Sequence, residues 1–356
     1  MASSDRSGDA RAQLRWRLAD DDGGQGELPG AAERVPGTGA LAGLELLHVR
    51  ARSVLNRVPA GSRMPFRWTV NPYRGCSHAC AYCFARPTHE YLGLDGGDDF
   101  DRRIVVKVNA VERLRAELRP SRWAGEAIAM GTNTDPYQPA EGRYRLTRGL
   151  VEVLAEARNP FSILTKSTLI TRDIDVLEAA TRRTTVRTAL SIGTFDSHVW
   201  RATEPHTPNP RKRMEAVARL NAAGIPCGVM LAPIIPELSD STSALDEVVR
   251  AAVDAGAVSI TPIMLHLRRG VREHYLERMA ATHPVHAAEM DARYTSVYGP
   301  PEAARDLTLR VRELVDRHGG PGPQAEDFQD ARFGARRAAT PARERPADRQ
   351  MRLPVG

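Results

Sequence analysis

Between Trp68 and Leu265 the chain alternates short apolar runs with longer stretches whose apolar residues recur every three or four positions. The short runs read as buried strands over 68–73, 127–132, 161–166, 186–192, 226–235 and 258–265, with a further extended run at 104–109. The longer stretches read as helices over 110–118, 146–158, 173–182, 210–223 and 243–255. In the second of these, Leu146, Leu150, Val153, Leu154 and Ala157 fall on one face. Gly224 and Gly256 are good stops for the helices before them, because glycine accepts the left-handed conformation that ends a helix. Six strand starts, most of them followed by a helix, predict an α/β fold with a parallel sheet.

The two ends have a different character. Residues 1–44 are rich in Gly, Ala, Asp and Arg without apolar periodicity, and 319–356 are rich in Gly, Pro, Ala and Arg. Such composition buries too little apolar surface to offset chain entropy, so disorder is expected there. The catalytic domain is expected at 45–318. The net charge of +6 is concentrated in the tail, since 331–356 hold seven arginines and two acids, 7 − 2 = +5. A solvated basic tail is therefore the plainer reading of the charge, with nucleic acid kept as a partner to test by its salt dependence. The first residues lack the apolar core of a signal peptide and no run is long enough to span a bilayer, so a cytoplasmic location without membrane contact is expected. The oligomeric state has no signature in the sequence.

Chemistry enters with the cysteines. Of the four, Cys76, Cys80 and Cys83 are clustered in Asn-Pro-Tyr-Arg-Gly-Cys-Ser-His-Ala-Cys-Ala-Tyr-Cys at 71–83. Three thiolates leave a four-coordinate or four-iron site one ligand short, and such an opening is the mark of a catalytic rather than a structural centre. The alternative is a zinc site completed by His78 or Cys227, in a non-enzymatic protein that binds nucleic acid through its tail. With the cluster reading, His78 is expected to be an exposed loop residue.

The Cys-x3-Cys-x2-Cys run, with Tyr82 before its third cysteine, resembles the radical S-adenosylmethionine superfamily. The resemblance implies a partial (β/α)6 TIM-like barrel, a [4Fe-4S] cluster on Cys76, Cys80 and Cys83, and S-adenosylmethionine as the second cofactor. It also implies an external one-electron reductant such as flavodoxin or ferredoxin. Further motifs resemble the branch containing spore photoproduct lyase and the DNA repair photolyase-like proteins. They are Met130-Gly-Thr-Asn-Thr-Asp-Pro, Leu164-Thr-Lys-Ser, Ala189-Leu-Ser-Ile and Leu231-Ala-Pro-Ile. By that resemblance Tyr82, Thr134, Lys166, Ser191 and Ala232 would bind the cofactor, Lys166 through its carboxylate.

Plainer roles stand beside these. Thr134 or Asp135 can cap a helix, Arg211-Lys-Arg213 can be a solvated face, and Cys227 can be a core residue or a hydrogen-atom donor. His266, Arg268, Arg272 and His274 form either a substrate-facing cluster or a wet helix start. The 131–134 stretch carries no thiol where the lyase has a hydrogen-returning cysteine, so repair by that route is not carried over. The substrate stays open.

Overall fold

The computed structural model describes residues 33–322 apart from 60, 61, 63, 120 and 122. In chain order the first elements are β1 (Glu33–Pro36), β2 (Glu45–Val49), β3 (Leu55–Arg57), β4 (Trp68–Val70) and β5 (Tyr73–Arg74). There follow α1 (Asp98–Arg102), β6 (Arg103–Lys107) and α2 (Ala110–Glu117). The strand–helix repeat continues with β7 (Ile128–Met130), α3 (Pro139–Tyr144), α4 (Leu146–Glu156), β8 (Phe161–Thr165), α5 (Ile174–Thr181) and β9 (Val186–Ser191). Then come α6 (Ser197–Thr203), α7 (Pro210–Ala222), β10 (Cys227–Ile234), α8 (Thr242–Asp254) and β11 (Ile260–Met264). Three helices end the described chain: α9 (Val271–Ala280), α10 (Pro284–Arg293) and α11 (Pro301–Arg317).

The main sheet has the order β11-β10-β9-β8-β7-β4-β3. Its neighbours from β4 to β11 are all parallel, and β3 pairs antiparallel with β4 at the edge. The six parallel strands are the six that the apolar runs predict. Strands β11 and β3 are the two ends of the sheet and do not pair, so the barrel is open. Its core joins Phe161, Ile163, Leu190, Val229 and Leu231 of the strands to Leu150, Leu154, Val217 and Leu220 of α4 and α7. Each fully buried leucine there contributes roughly 2 kcal/mol of transfer free energy. Asn209 and Ser241 cap α7 and α8 by accepting the backbone N–H of Arg211 and Ala244.

A second sheet, β1-β2-β6-β5, stands beside the barrel. It corrects the expected domain start: residues 33–44 hold strand β1 and a short 3-10 turn at Gly39–Leu41 rather than unstructured chain. The disorder expected for the remainder of both ends falls on 1–32 and 323–356, outside the described residues. The third expected helix also begins later, because Thr168–Asp173 is a 3-10 turn that precedes α5.

One glycine is fixed by the close approach of two strands at the barrel mouth. Gly131 has φ +91°, and a Cβ on it would lie 2.0 Å from the carbonyl oxygen of Leu164. Gly131→Ala is expected to cost on the order of 3 kcal/mol, from the disfavoured backbone and the overlap together. A thermal midpoint equal to that of the parent would refute the tight fit.

Candidate active site

In a barrel of this type functional groups collect beyond the C-terminal ends of the strands. There the segment after β4 leaves the barrel, pairs as β5 with β6 of the second sheet, and then enters the cysteine loop. Cys76 N–H donates to Phe100 O at 2.9 Å, and Ser77 N–H donates to Gln138 Oε1 at 3.1 Å. Gly75 O accepts from Thr134 Oγ1 at 2.6 Å and Gln138 Nε2 at 3.0 Å. Arg86 closes the loop from the other side. Its guanidinium donates to Cys80 O at 3.1 and 3.0 Å, to Gly96 O and Gly97 O, and to the Asp101 carboxylate at 2.9 Å. Arg86 is almost wholly buried, and nothing in its sequence surroundings announces this role.

All three cysteines are free; Cys76 and Cys80 are buried and Cys83 is half-buried. Burial pushes each thiol up, and the neighbouring cysteines add to this at Cys76 and Cys80. The backbone N–H groups of His78 and Ala85 oppose it at Cys76 and Cys83. Lys166 with Arg213 at Cys80, and Arg86 with Lys166 at Cys83, also favour the thiolate. This donor set fits an iron–sulfur group, which takes thiolates and tolerates N–H donors at the sulfur.

A closed zinc site would need a fourth protein ligand beside the three cysteines, for which His78 and Cys227 are the candidates. His78 is a correction, because it is buried rather than exposed. Its Nδ1 lies 3.4 Å from the carboxylate of Asp135. Cys227 starts β10 opposite Thr188, five residues before Ala232, or about 16 Å along the strand. Burial pushes its thiol up to about 12. Cys227 is thus a core residue at the far end of the strand, and the hydrogen-donor alternative has no geometry to support it.

Four of the five expected cofactor residues meet at the mouth. Lys166 Nζ donates to Ser191 Oγ at 2.6 Å, and Ser191 Oγ donates to Ala232 O at 2.7 Å. The Lys166 ammonium also lies 5.6 Å from the centre of the Tyr82 ring. Thr134 stands apart. Its hydroxyl is committed to Gly75 O and to Gln138 Nε2, so it pins the cysteine loop and caps no helix. Asp135 does cap its turn by accepting from Tyr137 N–H at 2.8 Å, and it also accepts from Thr165 Oγ1 at 2.6 Å and Lys166 N–H at 2.7 Å. One carboxylate thereby ties the second strand end to the third.

Beneath these groups lies a charged network that the sequence reading missed. Glu204 accepts from Tyr82 OH and from Arg213 Nη2, and lies 3.7 Å from Lys166 Nζ. Burial alone would raise its pKa, but Arg213 and Lys166 outweigh this and hold it at about 2. Arg213, expected on a solvated face with Arg211, is instead fully buried and donates to Ser191 O at 2.9 Å. Only Arg211 and Lys212 are exposed. The same segment holds the cysteine loop directly, since Ala81 N–H donates to Thr203 O at 2.9 Å.

The profile of the Radical SAM superfamily matches residues 70–252. The chain belongs to the radical SAM superfamily. It is an enzyme of that type, and the superfamily implies S-adenosylmethionine and an iron–sulfur cluster as its cofactors. An uncharacterized protein of Mycobacterium tuberculosis is 43% identical over 281 residues, covering 78% of this chain and 82% of that one. A radical SAM Nα-GlyT isomerase of Pseudomonas phage M6 is 26% identical over 168 residues, 47% of this chain and 33% of the isomerase. Among solved structures, a spore photoproduct lyase variant with bound AdoMet and dinucleoside spore photoproduct aligns with a TM-score of 0.61 at 15% identity, over 85% of both chains. At that identity the likeness is one of fold. Among the described residues no helix is long and apolar enough to cross a membrane.

Proposed function

We propose that this radical SAM enzyme holds a [4Fe-4S] cluster on Cys76, Cys80 and Cys83 and cleaves S-adenosylmethionine reductively. The observation that carries the reading is three free cysteines in one loop, with the Lys166 ammonium acting on Cys80 and Cys83 and bonded through Ser191 to Ala232 at the strand ends. When bound, the two cofactors supply an electron and a sulfonium compound, whose cleavage yields methionine and a 5′-deoxyadenosyl radical able to take hydrogen from a substrate.

The chain's own residues bind and orient. Lys166 presents an ammonium suited to a carboxylate. Ser191 holds that ammonium on one side and Tyr82 covers it with its ring face. Glu204 and Arg213 balance the buried charge, so Lys166 keeps its place before a ligand arrives. A narrow cleft lined by Tyr82, Gly193, Thr194, Glu204, Pro233 and Ile235 lies beside them.

An external one-electron carrier such as flavodoxin or ferredoxin completes the reaction, and a reducing compartment such as the cytoplasm suits the free thiols. Nucleic acid is the substrate class we favour, because the aligned lyase structure holds a dinucleoside photoproduct. The test is to reduce the reconstituted protein without oxygen, add S-adenosylmethionine and measure 5′-deoxyadenosine; none above a cofactor-free control refutes the reading. Lys166→Ala is expected to weaken S-adenosylmethionine binding roughly 10- to 150-fold, as loss of a charged hydrogen bond worth about 1.5–3 kcal/mol implies. Equilibrium dialysis giving an unchanged Kd would remove Lys166 from the site.

A further inference from the structure

Apart from the cofactor site, a row of side chains runs from the segment before α11 to the cysteine loop. Two residues past β11, His266 forms an isolated antiparallel bridge with Tyr298, and Leu267 N–H donates to Val297 O at 2.8 Å. Residues opposed in such a bridge share a face, and the two rings lie 5.7 Å apart, centre to centre. Side chains of extended chain alternate, so buried Leu267 points inward and Arg268 returns to the His266 face. Its guanidinium lies 5.9 Å from the ring of Phe84, the residue that follows Cys83. Tyr298 is 62% and Phe84 36% exposed. No ion pair engages Arg268 or Arg269 among the described residues. Their neighbour in the sequence, Arg272, is by contrast committed to Asp291 at 2.5 Å, and His274 is half-buried with its pKa lowered to about 4 by burial and by Arg86 and Arg278.

We infer that the row Tyr298–His266–Arg268–Phe84 binds single-stranded nucleic acid. Bases stack on the exposed rings, and the backbone phosphates are drawn to Arg268 and Arg269. Stacking platforms interleaved with cations are how single strands are held without regard to sequence. A duplex keeps its bases stacked inside and would not reach the rings. An acidic peptide would satisfy the arginines and leave the aromatic faces uncovered. The inference rests on the proposed radical chemistry only for what happens to the strand next to the cysteine loop; the binding itself is a separate property.

The experiment is fluorescence anisotropy of a short labelled oligothymidylate with the full chain, across a salt series and without reductant or S-adenosylmethionine. Tyr298→Ala is expected to weaken binding roughly 5- to 150-fold, the equivalent of about 1–3 kcal/mol per stacked base. Arg268→Ala is expected to reduce the salt slope by about 0.7, the value for one phosphate contact on a single strand. Both side chains face solvent, and unchanged thermal melts would confirm that the variants fold. Four results overturn the inference: no saturable binding, tighter binding of duplex, tighter binding of polyglutamate, or equal affinity in a Tyr298→Ala/Arg268→Ala double variant. The last would place binding in the basic segment 331–356. With both cofactors omitted, failure here is distinct from failure to form 5′-deoxyadenosine.

Discussion

Cys80→Ala, purified and reconstituted without oxygen, is expected to lose the brown colour of an iron–sulfur protein and to form no 5′-deoxyadenosine above background. A four-iron cube held as proposed would have three protein thiolates, so removing one would leave two, too few to retain it. Cys80 is also the cysteine whose position is most directly enforced, because buried Arg86 donates two hydrogen bonds to its carbonyl oxygen. Cys227→Ala is the matched control. It removes a buried sulfur at the opposite end of β10, should cost about 1 kcal/mol as a small cavity, and should leave iron content and product formation intact. If Cys80→Ala retained iron and activity while Cys227→Ala lost them, the ligand assignment would be wrong.

Glu204→Ala is expected to be nearly as damaging, through stability first. Truncating one member of a buried ion pair leaves the other charge uncompensated, at a typical cost of about 3–5 kcal/mol. Here two cations lose their counterion, since both Arg213 and Lys166 face Glu204. For a domain of this size the loss corresponds to a fall in thermal midpoint on the order of 10 °C. Differential scanning calorimetry would read it, and a midpoint within a degree of the parent would show that the network carries no such strain. A Glu204→Leu/Arg213→Met double variant should recover part of the loss, because an apolar pair replaces the stranded charge. Affinity for S-adenosylmethionine should not recover with it, since Lys166 would still lack its anchor.

How far the sequence carried can be judged element by element. The six barrel strands were legible because a parallel sheet covered on both faces needs nearly continuous apolar runs, and those runs are the strongest local signal in the chain. The small sheet was not. β1 is mostly exposed, and β5 is two residues long and pairs with β6 far along the chain, Tyr73 opposite Val106. Helix α11 had a usable signal that went unread: Pro301 at its start, then Leu307, Val311, Leu314 and Val315 on one face. The cysteines, Lys166, Ser191 and Ala232 were singled out through motif order, and the fold brings the last three together at the strand ends. Arg213 was misjudged and Glu204 missed, because a charged residue looks solvated until a partner that only the fold brings near buries it. Arg86 and Asp135 show the same limit, as each acts by tying together segments that only the fold makes adjacent.

The main sheet ends in β3 on one side and β11 on the other. Both are short edge strands, β3 of three residues and β11 of five, and Pro262 in β11 has no backbone N–H to offer. Edges so brief and interrupted are poor templates for a strand of another molecule, which lets the barrel stay open without zipping onto its own copies.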